Sequence, residues 1–342
     1  MTASHLQQGT AMPSTELVSV IIPAYNAAAT IDETLRSVRA QTHAHLEILV
    51  VDDGSRDDTV AIARHHAAID PRGTVLLQAN AGVAAARNAG WKRARADYVA
   101  FVDADDLWAP AKIERQLAAL LAGGETVGLA YSWYLLIDGE GRVLNPGARS
   151  RHEGDVLDAI FASNFIGNGS AVLVRRQALI DVGGFESGLH AADAQGCEDL
   201  LFYCRVAEHY RFAVVPDFLI GYRCLPDNMS SNLPRMLRSW MLVVDEMEGR
   251  HPDRCAMLRQ GLRHYAGWLL FQALRLGRFD YAWALARLVL RRNPIGGLVV
   301  LTGDLPLALA KAVRGRVSAW RRRARLAEVR TNFPSDEPRV CA

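Results

Sequence analysis

The stretch YVAFVDADDLWAP, residues 98–110, decides how this chain is read. Tyr98, Val99, Ala100, Phe101 and Val102 form a continuous apolar run of the kind that builds a strand buried on both faces. Three carboxylates follow at once, Asp103, Asp105 and Asp106. Like charges this close repel, and each makes its neighbours harder to ionise. Something positive must face them, or the segment is a strained surface loop. If the strand continues through the acids, Asp103 and Asp105 lie two residues apart and point the same way.

Outward toward the N-terminus the chain alternates. LVSVIIPAY (17–25) is an apolar strand ended at Pro23, and residues 27–42 carry Ile31, Leu35 and Val38 at helical spacing, with Thr30 as the N-cap. LEILVVDDGS (46–55) is a second strand, 56–69 a helix, GTVLLQA (73–79) a third strand, and 80–94 a loop and helix leading into the fourth strand. Strand and helix alternating at this spacing predict an α/β fold with a doubly wound, mostly parallel sheet. Toward the C-terminus we expect a helix over 111–122, a strand over 128–138 and a hairpin return through GRVLNPG. Residues 169–185 read as strand, turn and helix stopped by Gly183–Gly184, 197–210 as a helix and 211–224 as a strand pair. From about 235 the pattern is helical, with 264–294 a helix hairpin closed at Gly277. The expected organisation is a disordered leader (1–16), a catalytic domain (17–234) with a nucleotide half (17–110) and an acceptor half (111–234), a basic helical extension (235–330) and a tail (331–342).

The 342 residues are 50% hydrophobic and 22% charged, enough apolar material for a large core. The net charge of +2 hides an asymmetry, because residues 235–330 hold 19 Arg and Lys against 7 Asp and Glu. Five cysteines, Cys197, Cys204, Cys224, Cys255 and Cys341, form no CxxC spacing, which argues against a disulfide framework or zinc cluster and for a reducing cytoplasm. The N-terminus lacks a signal-peptide pattern, and the nearest approach to a spanning segment, 295–313, is interrupted by Asp304, Pro306 and Lys311. The basic end, with Trp320 among arginines in VRGRVSAWRRRAR (313–325), reads either as a solvated helical appendage or as peripheral attachment to an anionic membrane. No nucleic-acid motif accompanies the charge.

In open α/β sheets, ligands bind at the carboxyl ends of the strands. Here four strand ends carry PAYN (Pro23, Ala24, Tyr25, Asn26), DDGS (Asp52 to Ser55), NAGVAAARN (80–88) and DADD. Each alone is an ordinary turn, cap or surface loop; all four at one edge are not. Asp52 can accept a hydrogen bond from a base edge, Tyr25 can pack on a base or ribose, and Arg87 can face a diphosphate with two donors. Asp103 and Asp105 can hold Mg²⁺ or Mn²⁺ together with phosphate oxygens and water. GxGxxG after the first strand and GxxxxGK[ST] are both absent, which excludes a dinucleotide oxidoreductase and a P-loop enzyme.

Together these segments, VSVIIPAYNAAATIDETLRSVRAQT, LEILVVDDGSRDDT, NAGVAAARNAG and YVAFVDADDLWAP, resemble the nucleotide-binding half of a family 2 glycosyltransferase over about residues 17–225. The resemblance implies the GT-A nucleotide-diphospho-sugar transferase fold and an inverting, metal-assisted transfer from a nucleotide sugar, with UDP the expected carrier. It implies that Pro23, Ala24, Tyr25 and Asn26 line the nucleotide, that Asp52 reads the base, and that Gly54 and Ser55 shape its turn. It sets Arg87 near the diphosphate, Asp103 and Asp105 at the metal, and Asp106 behind them or at a helix cap. In the acidic pair that opens CEDLLFYCR, Asp199 is then the general base and Glu198 its neighbour; as plain helix N-terminal acids they would only favour the dipole. Asn168 and Gly169, with Trp133 behind them, become acceptor-side candidates. The implied acceptor is a saccharide or lipid-linked saccharide in surface-polysaccharide or glycolipid assembly at the inner membrane face. The rivals are a haloacid-dehalogenase-type phosphatase with Asp103 as nucleophile, against which stands Leu107 where Thr or Val is expected, and an inactive sugar-nucleotide-binding scaffold.

Overall fold

A computed structural model describes residues 14–191, 193–226, 228–304, 306 and 332–335. Its elements run β1 (Val18–Ala24), α1 (Ile31–Arg39), β2 (Leu46–Asp52), α2 (Thr59–Ile69), β3 (Gly73–Leu77), α3 (Val83–Arg93) and β4 (Tyr98–Phe101). There follow β5 (Leu107–Trp108), α4 (Lys112–Ala122), β6 (Val127–Ile137), β7 (Val143–Pro146), α5 (Leu157–Ala162), β8 (Val172–Arg175), α6 (Arg176–Val182), α7 (Gly188–Ala191), α8 (Glu198–Ala207) and β9 (Arg211–Arg223). Four further helices close the described part: α9 (Leu233–Arg250), α10 (Cys255–Arg275), α11 (Phe279–Arg292) and α12 (Pro294–Val299). The stretches 1–13 and 307–331, with Trp320, lie outside the described residues, as does Cys341.

The strands form one sheet in the order β3-β2-β1-β4-β8-β6-β9-β5, with β7 on the edge of β6. β3, β2, β1 and β4 are parallel, and β8 joins β4 antiparallel. The chain builds from β1 outward through β2 to β3, then returns to place β4 on the other side of β1. That reversal leaves a crevice beyond the carboxyl ends of β1 and β4, where open sheets bind ligands. All seven residues of β1 and of β2 are buried, as the unbroken apolar runs require. On one face, α3 lies so close that a Cβ at Gly90 would come 2.3 Å from Cγ2 of Ile21 and 3.1 Å from Cγ2 of Val51.

Three expectations are corrected. Residues 211–223 are one 13-residue strand, β9, rather than a strand pair, pairing with β6 on one side and β5 on the other. Pro216 has no N–H to give the ladder, and the sheet accommodates it as an irregularity: the register to β6 jumps from Val215 to Phe218 and the strand continues. Thr30 stands at the head of α1 but its side chain does not cap it; Oγ1 donates to the carbonyl of Ala104 at 2.9 Å, tying the helix to the acidic loop. β4 stops at Phe101, and residues 103–106 form a tight turn in which the Asp106 N–H donates to the Asp103 carbonyl at 3.0 Å. The helix hairpin falls where expected, with Gly277 in left-handed backbone (φ 71°) between α10 and α11.

Candidate active site

The first two strand ends are built as one unit. Ala24 of β1 lies in register with Asp52 of β2. Asp52 Oδ2 accepts the N–H groups of Gly54 and Ser55, both at 3.1 Å, which shapes the turn. Its other oxygen, Oδ1, is buried and has no partner. Asn26 sits in left-handed backbone, its N–H donating to Ser55 Oγ at 2.9 Å and its Oδ1 accepting from the N–H of Arg56 at 2.8 Å. PAYN and DDGS therefore lock each other. Tyr25 is left half-exposed beside a cavity of about 190 Å³, lined by Pro23, Ala24, Asp53, Asn80, Gly82 and His190 among others.

Asp53 is a residue the sequence reading passed over. Its buried carboxylate accepts from Gln78 Nε2 at 2.7 Å and from the N–H groups of Ala81 at 2.9 Å and Gly82 at 2.8 Å. It pins the loop that opens α3, and α3 carries Arg87.

The acidic turn is clamped from behind. Asp106 is fully buried; it accepts the Ser170 hydroxyl and the N–H of Arg223. No helix begins there, since α4 starts at Lys112, so of the two places expected for Asp106 the helix cap falls away and its contacts lie behind the acidic turn. Arg223, at the end of β9 and fully buried, donates from Nε to the Asp105 carbonyl at 2.7 Å and from Nη2 to Glu33 at 2.6 Å. It is the cation behind the turn, and nothing near it in sequence announces it. Burial, and then the charge of Asp103, push the Asp105 carboxyl up to about 6.

On the open side stands Arg87, 4% exposed, with Nη2 donating to Asp103 Oδ1 at 2.6 Å. Its Nε is buried without a partner, and its guanidinium lies 5.3 Å from the ring of Phe185. Gly169 makes room for it: a Cβ there would fall 2.5 Å from Arg87 Nη2. Asn168 is buried, and neither polar atom of its amide has a partner, while its carbonyl accepts the Tyr203 hydroxyl at 2.9 Å.

Glu198 and Asp199 open α8 in the field of Arg87. Burial raises both carboxyls, Asp199 to about 6, with the Arg87 charge opposing the rise. Glu198 is committed to the N–H of Gly196 at 2.7 Å. Asp199 Oδ1 accepts only the N–H of Leu200, at 2.7 Å. The structure thus gathers Arg87, Asp103, Gly169, Glu198 and Asp199. Trp133 is held elsewhere, by the Ser150 carbonyl at 2.6 Å and the ring of Phe218.

Among the described residues no group of three or more His, Cys, Asp and Glu could hold a metal alone. Asp103 and Asp105 supply a partial shell of hard oxygens, which suits a hard divalent cation that shares its coordination with substrate phosphates and water.

A switch-point crevice edged by a buried Asp with one unpartnered oxygen, a buried Arg and an acidic turn fits the GT-A class of fold. The sequence profile described as Glycosyl transferase family 2 matches residues 19–183. The putative teichuronic acid biosynthesis glycosyltransferase TuaG of Bacillus subtilis is 30% identical over 237 residues, 69% of this chain and 90% of that protein. TarS of S. aureus (residues 1–349) superposes with a TM-score of 0.56 at 19% identity, over 87% of this chain and 92% of that one, and has also been solved with UDP and with UDP-GlcNAc. The mannosyltransferase PcManGT from Pyrobaculum calidifontis, solved with GDP-Man and Mn²⁺, superposes with a TM-score of 0.55 at 22% identity, over 89% and 83% of the two chains. The chain belongs to glycosyl transferase family 2 and is a glycosyltransferase, which sets aside the phosphatase and scaffold readings.

Proposed function

We propose that this chain is an inverting glycosyltransferase that moves a sugar from a UDP-sugar to an acceptor hydroxyl in cell-surface polysaccharide or glycolipid assembly. The observation that carries the nucleotide reading is the buried, unpartnered Oδ1 of Asp52 beside the half-exposed Tyr25. A buried acceptor atom with no donor is costly, and the N–H of a uracil edge would satisfy it. Arg87, already desolvated and with a free Nε, offers charge to the diphosphate. Asp103 and Asp105 would hold Mg²⁺ or Mn²⁺, which when bound neutralises charge on the departing diphosphate. Asp199 takes the proton from the attacking hydroxyl, because a neutral hydroxyl is a poor nucleophile against an oxocarbenium-like centre. Attack from the face opposite the diphosphate inverts the anomeric carbon. Asn168, with a buried amide free on both sides, is placed to read hydroxyls of a sugar. The TuaG likeness supports a polysaccharide acceptor.

Thermal stabilisation by UDP, dTDP and GDP, each with and without Mn²⁺, tests the donor reading. At 100 times its Kd the correct nucleotide adds about 2.7 kcal/mol. UDP is expected to shift the melting temperature, and to do so more with Mn²⁺. No shift with any of the three rejects the nucleotide site.

A further inference from the structure

Helices α10, α11 and α12 leave large apolar side chains in water. Leu276 is 64% exposed, Phe279 71%, Trp283 73% and Ile295 78%, with Leu298 beside them in sequence. Phe279, Trp283, Arg287 and Arg291 follow one another at four-residue spacing, so they form one stripe along the outer face of α11. Trp283, Arg287 and Arg291 also line a groove of about 280 Å³ against Pro234 and Arg238 of α9. Arg238 is engaged by Asp193 at 3.2 Å, but its buried Nε has no partner. Arg287 and Arg291 take no hydrogen-bond or ion-pair partner among the described residues. Large apolar side chains exposed together along a helix and followed by arginines mark an interaction site.

We propose that this face of α10–α12 lies on an anionic lipid bilayer, with Phe279, Trp283 and Ile295 among the acyl chains and headgroup phosphates in the Arg238–Arg287–Arg291 groove. Charge chooses between the possible occupants. A second copy of the chain would bring the unpaired arginines of both copies together. Residues 307–331 carry Lys311 and seven arginines against the single acid Glu328, so they too would set like charge against the groove. A bilayer rich in acidic lipid complements the arginines and solvates the aromatic rings at the same depth. Among the described residues no helix is long and apolar enough to cross a membrane.

The test is sedimentation of the full chain with vesicles of phosphatidylcholine, alone and mixed with phosphatidylglycerol, with no nucleotide present, so that it stands apart from the donor chemistry. The wild type is expected to partition onto the mixed vesicles and to be released by salt. The R287E/R291E double variant should lose about thirty-fold or more in partition, since each basic residue at such a surface contributes about 1 kcal/mol. The F279S/W283S variant should lose binding while keeping the wild-type melting temperature. Equal binding to neutral vesicles, or wild-type partition by both variants, overturns the assignment. So does a dimer in analytical ultracentrifugation that F279S/W283S abolishes, which would mean that a second copy covers the face. A fall in melting temperature for that variant without any change in partition also overturns it, and points to residues 307–331 as the cover.

Discussion

Asp199 and Glu198 are adjacent acids in the same field, and each gives one carboxylate oxygen to a backbone N–H, Glu198 to that of Gly196 and Asp199 to that of Leu200. They differ in access: Glu198 is buried, while Asp199 is half-buried and has its carboxyl raised to about 6 by burial. A base must be deprotonated to accept a proton, so kcat/KM for the donor, which reports the free enzyme, should fall about ten-fold for each unit of pH below about 6. Asp199→Asn should bind donor normally and transfer at least about 10²-fold more slowly, the usual scale of a lost general base. Normal transfer by this variant would remove Asp199 from the chemistry. Gly169 is a second test. A methyl group there meets the Arg87 guanidinium at 2.5 Å, so Gly169→Ala should displace the Arg87–Asp103 pair and weaken nucleotide stabilisation more than it lowers the melting temperature. Retained UDP stabilisation in Gly169→Ala would show that Arg87 does not serve the diphosphate. Asp52, Asp103 and Asp105 drew attention because each follows an apolar run, where a charge needs a reason; Arg87 and Asp199 stood out through the motifs that carry the resemblance. Asp53 and Arg223 were not legible. Asp53 looks like the second half of a turn, and the contacts that reveal it come from residues 78–82. Arg223 reaches Asp105 across 118 positions, a separation at which no local pattern exists.

Among the elements, the parallel strands β1, β2 and β4 could be read from their apolar runs because strands buried on both faces have no polar alternation to blur them, whereas β3, at the sheet edge and partly open to solvent, was read from its alternation with the helices. β9 was misread because Pro216 and Asp217 look like a turn, whereas the sheet absorbs them as an irregularity opposite Ser132 and Trp133. The acidic turn was misread as a strand for the opposite reason: its apolar lead continues to Val102, but Thr30, Thr34 and Arg223 draw its carbonyls away from the sheet. The helix that carries Arg87 to the crevice, α3, is held against β1 and β2 at Gly90. Gly90→Ala forces a Cβ into Ile21 at 2.3 Å. Overpacking of this kind costs about 1–3 kcal/mol. The variant should melt several degrees lower and bind UDP more weakly, since α3 carries Arg87. An unchanged melting temperature would mean that α3 moves off the sheet freely, and Arg87 is then not positioned by this contact.

At the scale of the whole molecule the site exists only in the folded chain, because its residues come from segments spread between Pro23 and Arg223. Folding therefore collects charge that the unfolded chain keeps apart, and the apoprotein bears the cost. Asp199 makes this measurable. Its folded carboxyl titrates at about 6, against 3.8 for the ordinary side chain. Between those values the folded protein holds a proton that the unfolded chain has released, so stability must fall as pH rises from about 4 to about 6, and the whole penalty is present above that. At 1.36 kcal/mol per unit the penalty is about 3 kcal/mol at most. Asp199→Asn cannot ionise and escapes it. The melting temperature of Asp199→Asn relative to the wild type should therefore be lowest below about pH 4, where the penalty is absent, and should climb by a few degrees between there and pH 7.5, every other titrating group being common to both. Parallel curves for the two proteins would show that Asp199 ionises in the folded state without cost. Its raised carboxyl, and the base role that depends on it, would then both be lost.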